Sequence, residues 1–273
     1  MQEFMPTIRT GFCPRADISH VVFDFDGTLS WLRHGWPAIM CEVFLERIPL
    51  KPDEARDTLA QRLLEDILSL NGKPSIFQMQ LCLRQAEQRG ASLLDVQELL
   101  QVYHGRLAGT IQERKEQLGQ GRAVPDDFIV HGARALLENL HDRGLVLIIL
   151  SGTAEPQVKE EADLLDLTRY FGRHIYGGTS DLAQSSKQAV LERVLRQENI
   201  AGRQLLAFGD GPVEIALTKA VGGLAVGVAS DEERNGSGQM HPVKLNQLSQ
   251  AGADVLIPDY REPDALLECL LGN

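Results

Sequence analysis

Val21-Val22-Phe23-Asp24-Phe25-Asp26-Gly27-Thr28 is a hydrophobic strand that runs straight into two carboxylates, a glycine and a hydroxyl. Val21 to Phe23 are β-branched or aromatic, the composition of a strand buried on both faces. Asp24 falls where such a strand leaves the core, and Gly27 permits the sharp turn that follows. Two acids crowded at the mouth of a sheet repel each other and are costly to desolvate. They make sense if something positive is held there, most simply a hard divalent cation. Asp and Gly are also common in ordinary turns, so the run is decided by its setting.

Outward from it, the chain has two textures. From about Trp31 to Ala123 apolar residues recur at helical spacing in the stretches 38–47, 53–70, 75–89 and 93–118, with no convincing strand among them. Pro49, Pro52, Asn71-Gly72, Pro74 and Gly90 punctuate these helices, and Asp53, Ser75 and Ser92 are N-cap candidates. After Pro125 strand and helix alternate. Apolar strands are expected at 145–150, 174–176, 205–208, 224–228 and 255–257, with helices at 131–143, 155–165, 187–197, 212–220, 242–251 and 263–270. That alternation predicts an α/β fold, a parallel sheet covered by helices on both faces. The Val21 strand belongs to this sheet. The expected organisation is therefore an α/β core of residues 1–29 and 125–273, interrupted by an all-α helical insertion of residues 30–124, with 1–17 as an irregular lead-in.

Four polar segments end strands or open helices of the α/β part: Asp24 to Thr28, Ser151-Gly152-Thr153, Ser186-Lys187, and Gly209-Asp210-Gly211-Pro212-Val213-Glu214. In open α/β sheets ligands bind at the carboxyl ends of strands, so these segments should converge. Their order and spacing resemble the four motifs of the haloacid dehalogenase superfamily, and the helical insertion stands where many members carry a cap. The resemblance implies a Rossmann-like core and a phosphatase-type activity. It makes Asp24 the nucleophile that becomes an aspartyl phosphate, and Asp26 the general acid and base. It assigns Mg²⁺ to Asp24, the backbone carbonyl of Asp26, and Asp210. Ser151, the amide of Gly152 and Lys187 would bind the phosphoryl group, with Thr28 in support. Many relatives have an aspartate where this chain has Glu214, which suits a role behind the metal ligands. Bland alternatives remain at single positions: Ser151 as a helix cap, Asp210 as a turn former, Lys187 as a surface lysine, with Lys159 and Lys219 as rival cations.

Arg33, His34 and Trp36, where the chain enters the insertion, are candidate substrate-contacting residues, and Lys73 between two helices is another. A hinge packed by Trp36 and a plain surface turn at Lys73 are the alternatives. Residues 113–116 read as a solvated helix face, and 231–234 as part of a mobile glycine-rich loop. With 273 residues the chain can bury a large core, and a net charge of −11 argues against general nucleic-acid binding. The four cysteines lack paired spacing, so reduced thiols are expected. No apolar run approaches membrane-spanning length, which makes a cytoplasmic protein without a membrane partner the default. The expected function is hydrolysis of a small phosphorylated metabolite such as a sugar phosphate or a phosphoglycolate-like acid. A phosphoglucomutase-like transferase and a phosphonatase share the machinery. A non-catalytic module that binds a phosphorylated ligand is the rival from another class.

Overall fold

The computed structural model describes residues 6–71, 74–91, 95–178, 186–231 and 233–272. They form two compact units, one of residues 1–32 with 118–273 and one of residues 33–117. The first unit is built on a seven-stranded sheet: β1 (Thr7–Ile8), β2 (His20–Phe23), β3 (Val146–Ala154), β4 (Ile175–Gly178), β5 (Leu205–Gly209), β6 (Leu224–Val228) and β7 (Val255–Ile257). Their spatial order is β1-β7-β6-β5-β2-β3-β4. All pairings are parallel except β1 with β7, where Thr7 faces Leu256. The lead-in expected to be irregular thus supplies a short antiparallel edge strand, too brief to carry a readable alternation. β2 lies centrally, between β3 and β5, so the strand order reverses around it. This is the position at which open α/β sheets leave a crevice beyond their carboxyl ends.

The strands are apolar throughout because both faces are covered. Val21, Phe23, Ile149 and Phe208 point to one side, among side chains of α5 (Ala133–Asp142), α6 (Glu155–Leu164) and α11 (Pro263–Leu271). Val22, Ile148, Leu150 and Ala207 point to the other, against Val190, Leu191 and Val194 of α8 (Lys187–Gln197). Phe23 and Phe208 stack at 4.8 Å between centroids, which locks the two central strands together just below their ends. The unit is completed by α7 (Thr168–Phe171), α9 (Pro212–Ala220) and α10 (Pro242–Gln250), with Ile215 and Leu248 packing on Ala225 and Leu256. The loop after β6 is tied back to the core through Asn235. Asn235 accepts the His131 amide at 2.9 Å and donates to the Ile129 carbonyl at 2.7 Å.

The second unit contains α1 (Trp36–Leu45), α2 (Arg56–Ser69), α3 (Ile76–Glu87) and most of α4 (Val96–Gly119). Its core is apolar and mostly aliphatic, with Met40, Phe44, Leu59, Leu63, Ile67, Met79, Cys82 and Leu99 buried together. Asp53 does not cap α2. It sits at φ 63 within a turn closed by Glu54, and the helix starts only after Ala55. Ser75 holds the cap position of α3 without a side-chain cap bond, and Ser92 lies outside the described residues. Among the described residues no helix is long and apolar enough to cross a membrane.

Candidate active site

The chain turns tightly as it leaves β2. The Asp24 amide still donates to the Phe208 carbonyl at 2.9 Å, so its side chain projects from the last rung of the central pairing. Leu29 and Ser30 then donate back to the Phe25 carbonyl, and Gly27 to the Ser30 carbonyl. Gly27 has φ 77, and a Cβ there would stand 2.4 Å from Asp210 Oδ2. Only glycine lets the Asp210 carboxylate reach over this turn. Both Asp24 and Asp210 are buried, at 7 % and 8 % exposure.

Lys187 opens α8, whose N-terminus is capped by Ser186 Oγ accepting from the Ala189 amide at 3.1 Å. Its Nζ lies 2.6 Å from Asp24 Oδ1 and also pairs with Glu214 Oε1, from the first turn of α9. Burial pushes the Asp24 carboxyl well above its ordinary range. The Lys187 ammonium opposes that shift, and Glu214 and Asp210 add to it. For Lys187, burial would favour the neutral amine, but Asp24 and Glu214 more than reverse it and hold the ammonium charged. The rival cations are engaged elsewhere: Lys219 binds both oxygens of Asp254, and Lys159 pairs with Glu155.

Ser151, fully enclosed at the end of β3, does not cap α6. Its Oγ accepts the Thr153 amide at 3.0 Å. A Cβ on Gly152 would sit 3.9 Å from Lys187 Cε, so this edge runs beside the lysine. Asp26 is partnered differently from Asp24. Thr153 Oγ1 donates to its Oδ2 at 2.7 Å. Thr28 is fully buried, and its carbonyl accepts the Tyr260 hydroxyl at 3.0 Å. Tyr260 holds its proton firmly, because it is buried and faces Asp210, Asp24 and Asp259.

Sequence reasoning missed three groups here. Thr153 was visible in the Ser-Gly-Thr run, but its partner is 127 residues away. Lys244 of α10 is buried, 3.0 Å from Asp210 Oδ2 and 3.2 Å from Ser230 Oγ. Ser230 in turn donates to the Gly27 carbonyl at 3.3 Å. The available signal was a charge on an apolar stripe, since Lys244 and Leu248, one turn apart, are the buried residues of α10.

The candidates of the insertion belong to the helical unit. Trp36 packs on its core, and His34 is held by Arg114, whose guanidinium donates to the His34 carbonyl at 3.0 Å and lies 3.2 Å from Nε2. Arg114 is therefore half-buried rather than part of a solvated face, which is left to Glu113 and Glu116. Arg33 is half-buried at the entry to α1, its carbonyl accepting the Trp36 amide at 3.1 Å. Lys73 lies outside the described residues.

The donor set suits a hard cation. The buried Asp24 and Asp210 and the half-buried Glu214 meet two ammonium groups, Lys187 and Lys244. Glu214 Oε2 and Thr28 Oγ1 are buried without a hydrogen-bond partner among the described residues, as expected where ligand or water completes a site. Among those residues no three Asp, Glu, His or Cys side chains form a ready metal cage. A hard ion bound through two carboxylates and a carbonyl, with waters, needs none.

A doubly covered α/β sheet with acids, a lysine and hydroxyls gathered at the ends of its central strands defines a class of enzymes that handle anionic substrates. Residues 18–222 match the model of haloacid dehalogenase-like hydrolases, and the chain belongs to that family. Among solved structures it is similar to a haloacid dehalogenase family hydrolase of Deinococcus radiodurans with bound phosphate and sodium. The two share 19 % identity over 93 % of this chain and 96 % of that one, with a TM-score of 0.63. A predicted phosphoglycolate phosphatase of Haemophilus somnus shares 14 % identity over 92 % and 98 %, with a TM-score of 0.61. A β-phosphoglucomutase of Clostridium difficile shares 12 % over 90 % and 92 %, with a TM-score of 0.56. A comparison with curated proteins finds no match.

Proposed function

We propose that this hydrolase is an Mg²⁺-dependent phosphatase of small phosphate monoesters that works through an aspartyl phosphate. The observation that carries the reading is the unequal treatment of two acids two residues apart. Asp24 is buried against an ammonium, whereas Asp26 is held by a hydroxyl. The first suits a carboxylate fixed in place beside a cation that favours its ionised form, the second one that must gain and lose a proton.

In this mechanism a carboxylate oxygen of Asp24 attacks phosphorus in line. The bond to the ester oxygen breaks, and Asp26 gives its proton to that oxygen. Asp26 then takes a proton from water as the water attacks the same phosphorus, which breaks the bond to Asp24 and releases inorganic phosphate. Thr153 orients Asp26 for both transfers. Lys187, Ser151 and the Gly152 amide stabilise the charge on the transferring group, and Glu214 positions Lys187. Mg²⁺ held by Asp24, the Asp26 carbonyl and Asp210 would polarise the phosphoryl group and let two anions approach. Thr28 Oγ1 is assigned to the same pocket. The helical insertion, residues 30–124, is assigned the role of a cap that selects substrate, with Arg33, His34, Trp36 and Lys73 as its candidate contacts. The likeness to a predicted phosphoglycolate phosphatase accords with a small phosphorylated substrate.

The test is a panel of several dozen phosphate monoesters with Mg²⁺, scored for inorganic phosphate, with Asp24→Asn and a chelator as controls. Release that needs both the metal and Asp24 is expected. Isomerised sugar phosphate without net release would make the chain a mutase. Ligand binding with no turnover anywhere on the panel would make it a binding module.

A further inference from the structure

Lys244 is the second lysine of the site and the most deeply buried charge in it, at 1 % exposure. It stands on the inner stripe of α10, where an apolar residue would be expected, one turn from the buried Leu248. An ammonium there costs far more to desolvate than a methionine or leucine would. Replacing a buried ion pair by apolar residues commonly leaves a fold as stable or more so, so stability is a poor reason for its presence. Its contacts supply a better one. The Nζ lies 3.0 Å from Asp210 Oδ2 and 3.2 Å from Ser230 Oγ, and Ser230 is bonded to the Gly27 carbonyl. Lys244 is thus built into the turn that carries Asp24 and Asp26. It serves a different carboxylate from Lys187, which takes Asp24 and Glu214.

With Oδ2 held by an ammonium, two-oxygen binding of a cation by Asp210 would bring that cation up against the Nζ and is disfavoured relative to binding through Oδ1 alone. Calcium takes six to eight oxygens in loose geometry and readily accepts both oxygens of a carboxylate. Magnesium demands a tight octahedron of single oxygens and keeps its waters. We propose that Lys244 is a positioning residue that restricts Asp210 to one-oxygen coordination and so makes the site select magnesium over calcium. The inference rests on the assignment of Asp210 as a metal ligand. It extends that assignment from which residues hold the ion to which ion they hold.

The test is isothermal titration calorimetry of the whole protein with Mg²⁺ and with Ca²⁺, in the absence of substrate. Lys244→Met is expected to tighten Ca²⁺ and to lower the preference for Mg²⁺ by about tenfold, the scale on which residues behind metal ligands act. Ser230→Ala frees the Nζ from one anchor without stranding a charge, and it should move the preference in the same direction by less. Lys244→Arg, which keeps a donor on Oδ2, should restore most of it. Wild-type preference in every variant that remains folded by circular dichroism would reduce Lys244 to a structural ion pair, with the phosphatase reading untouched. Equal binding of both ions by wild type and Asp210→Asn would remove the metal assignment and this proposal together.

Discussion

The α/β unit and the helical unit place their charges in opposite ways. In the first, Asp24, Asp210 and Lys244 are buried near the strand ends, with the half-buried Lys187 and Glu214 paired beside them. In the second, most ion pairs are exposed, Glu42 with Arg56 and Glu46 with Arg47 and Arg106, and the Arg89–Glu54 pair, joined by Arg62, is the enclosed exception. Surface pairs of this kind contribute little, and the helical unit is held by Met40, Phe44, Leu59 and Leu63 instead. Buried clusters cost stability, so their presence marks the region where chemistry is done. The difference can be attacked by substitution in each unit.

The largest effect belongs to Asp24. Asp24→Asn should lower kcat by at least about 10⁴-fold, as expected for a lost nucleophile. The same change should raise Tm in metal-free buffer. Folded Asp24 holds its proton more tightly than the unfolded chain, so ionising it withdraws stability as pH rises above the ordinary carboxylate value of 3.8. A variant as active as wild type would break the contrast between the two units at its root. Leu63→Ala, at a fully buried position in the helical core, should cost about 2–5 kcal/mol in urea unfolding. A loss below 1 kcal/mol would mean that the core is not what holds that unit.

Thr153→Val keeps shape and removes the donor to Asp26. We expect roughly a tenfold fall in kcat with KM unchanged, a fraction of what full acid–base catalysis supplies. A pH–rate profile identical to wild type would show that Thr153 does not orient Asp26. The smallest effect is an acid response of the helical unit. Arg106 and Arg47 lower Glu46 from 4.5 to about 2, and Arg89 with the Lys51 amide does the same for Glu54. Depressed carboxylates contribute stability above the ordinary value and lose it as pH falls from there through the folded value. The urea midpoint of wild type should therefore drop between pH 4.5 and 2, and a Glu46→Gln, Glu54→Gln double variant should respond less. Equal slopes would remove these pairs from the account.

What the sequence disclosed follows the range of each interaction. The Val21–Thr28 run, the Ser-Gly in the last part of β3 and the Gly-Asp-Gly at the end of β5 are each written within a few residues, and each was legible. Every principal helix and nearly every strand was legible from period alone, because a sheet covered on both faces requires continuous apolar runs. Lys244, Thr153 and Arg114 were not. Each acquires its meaning from a residue far along the chain, Arg114 from His34 at a separation of 80. The start of α2 was misplaced for a similar reason. Glu54 is drawn to Arg89, 35 residues on, and that contact fixes a turn ahead of the helix.

The short strand Thr7–Ile8 has a consequence beyond its size. It lies along β7, whose Val255, Leu256 and Ile257 would otherwise present an open, wholly apolar border with unpaired backbone groups. Its own side chains are exposed, and Arg9 beside it donates its amide to the Asp254 carbonyl and pairs with the Asp254 carboxylate. A border left uncovered in this way is a template for another chain, and two residues with a neighbouring charge are enough to close it. Thr7–Ile8 therefore acts as a guard against self-association, and a chain trimmed past Arg9 would be expected to aggregate through β7 with its catalytic residues still in place.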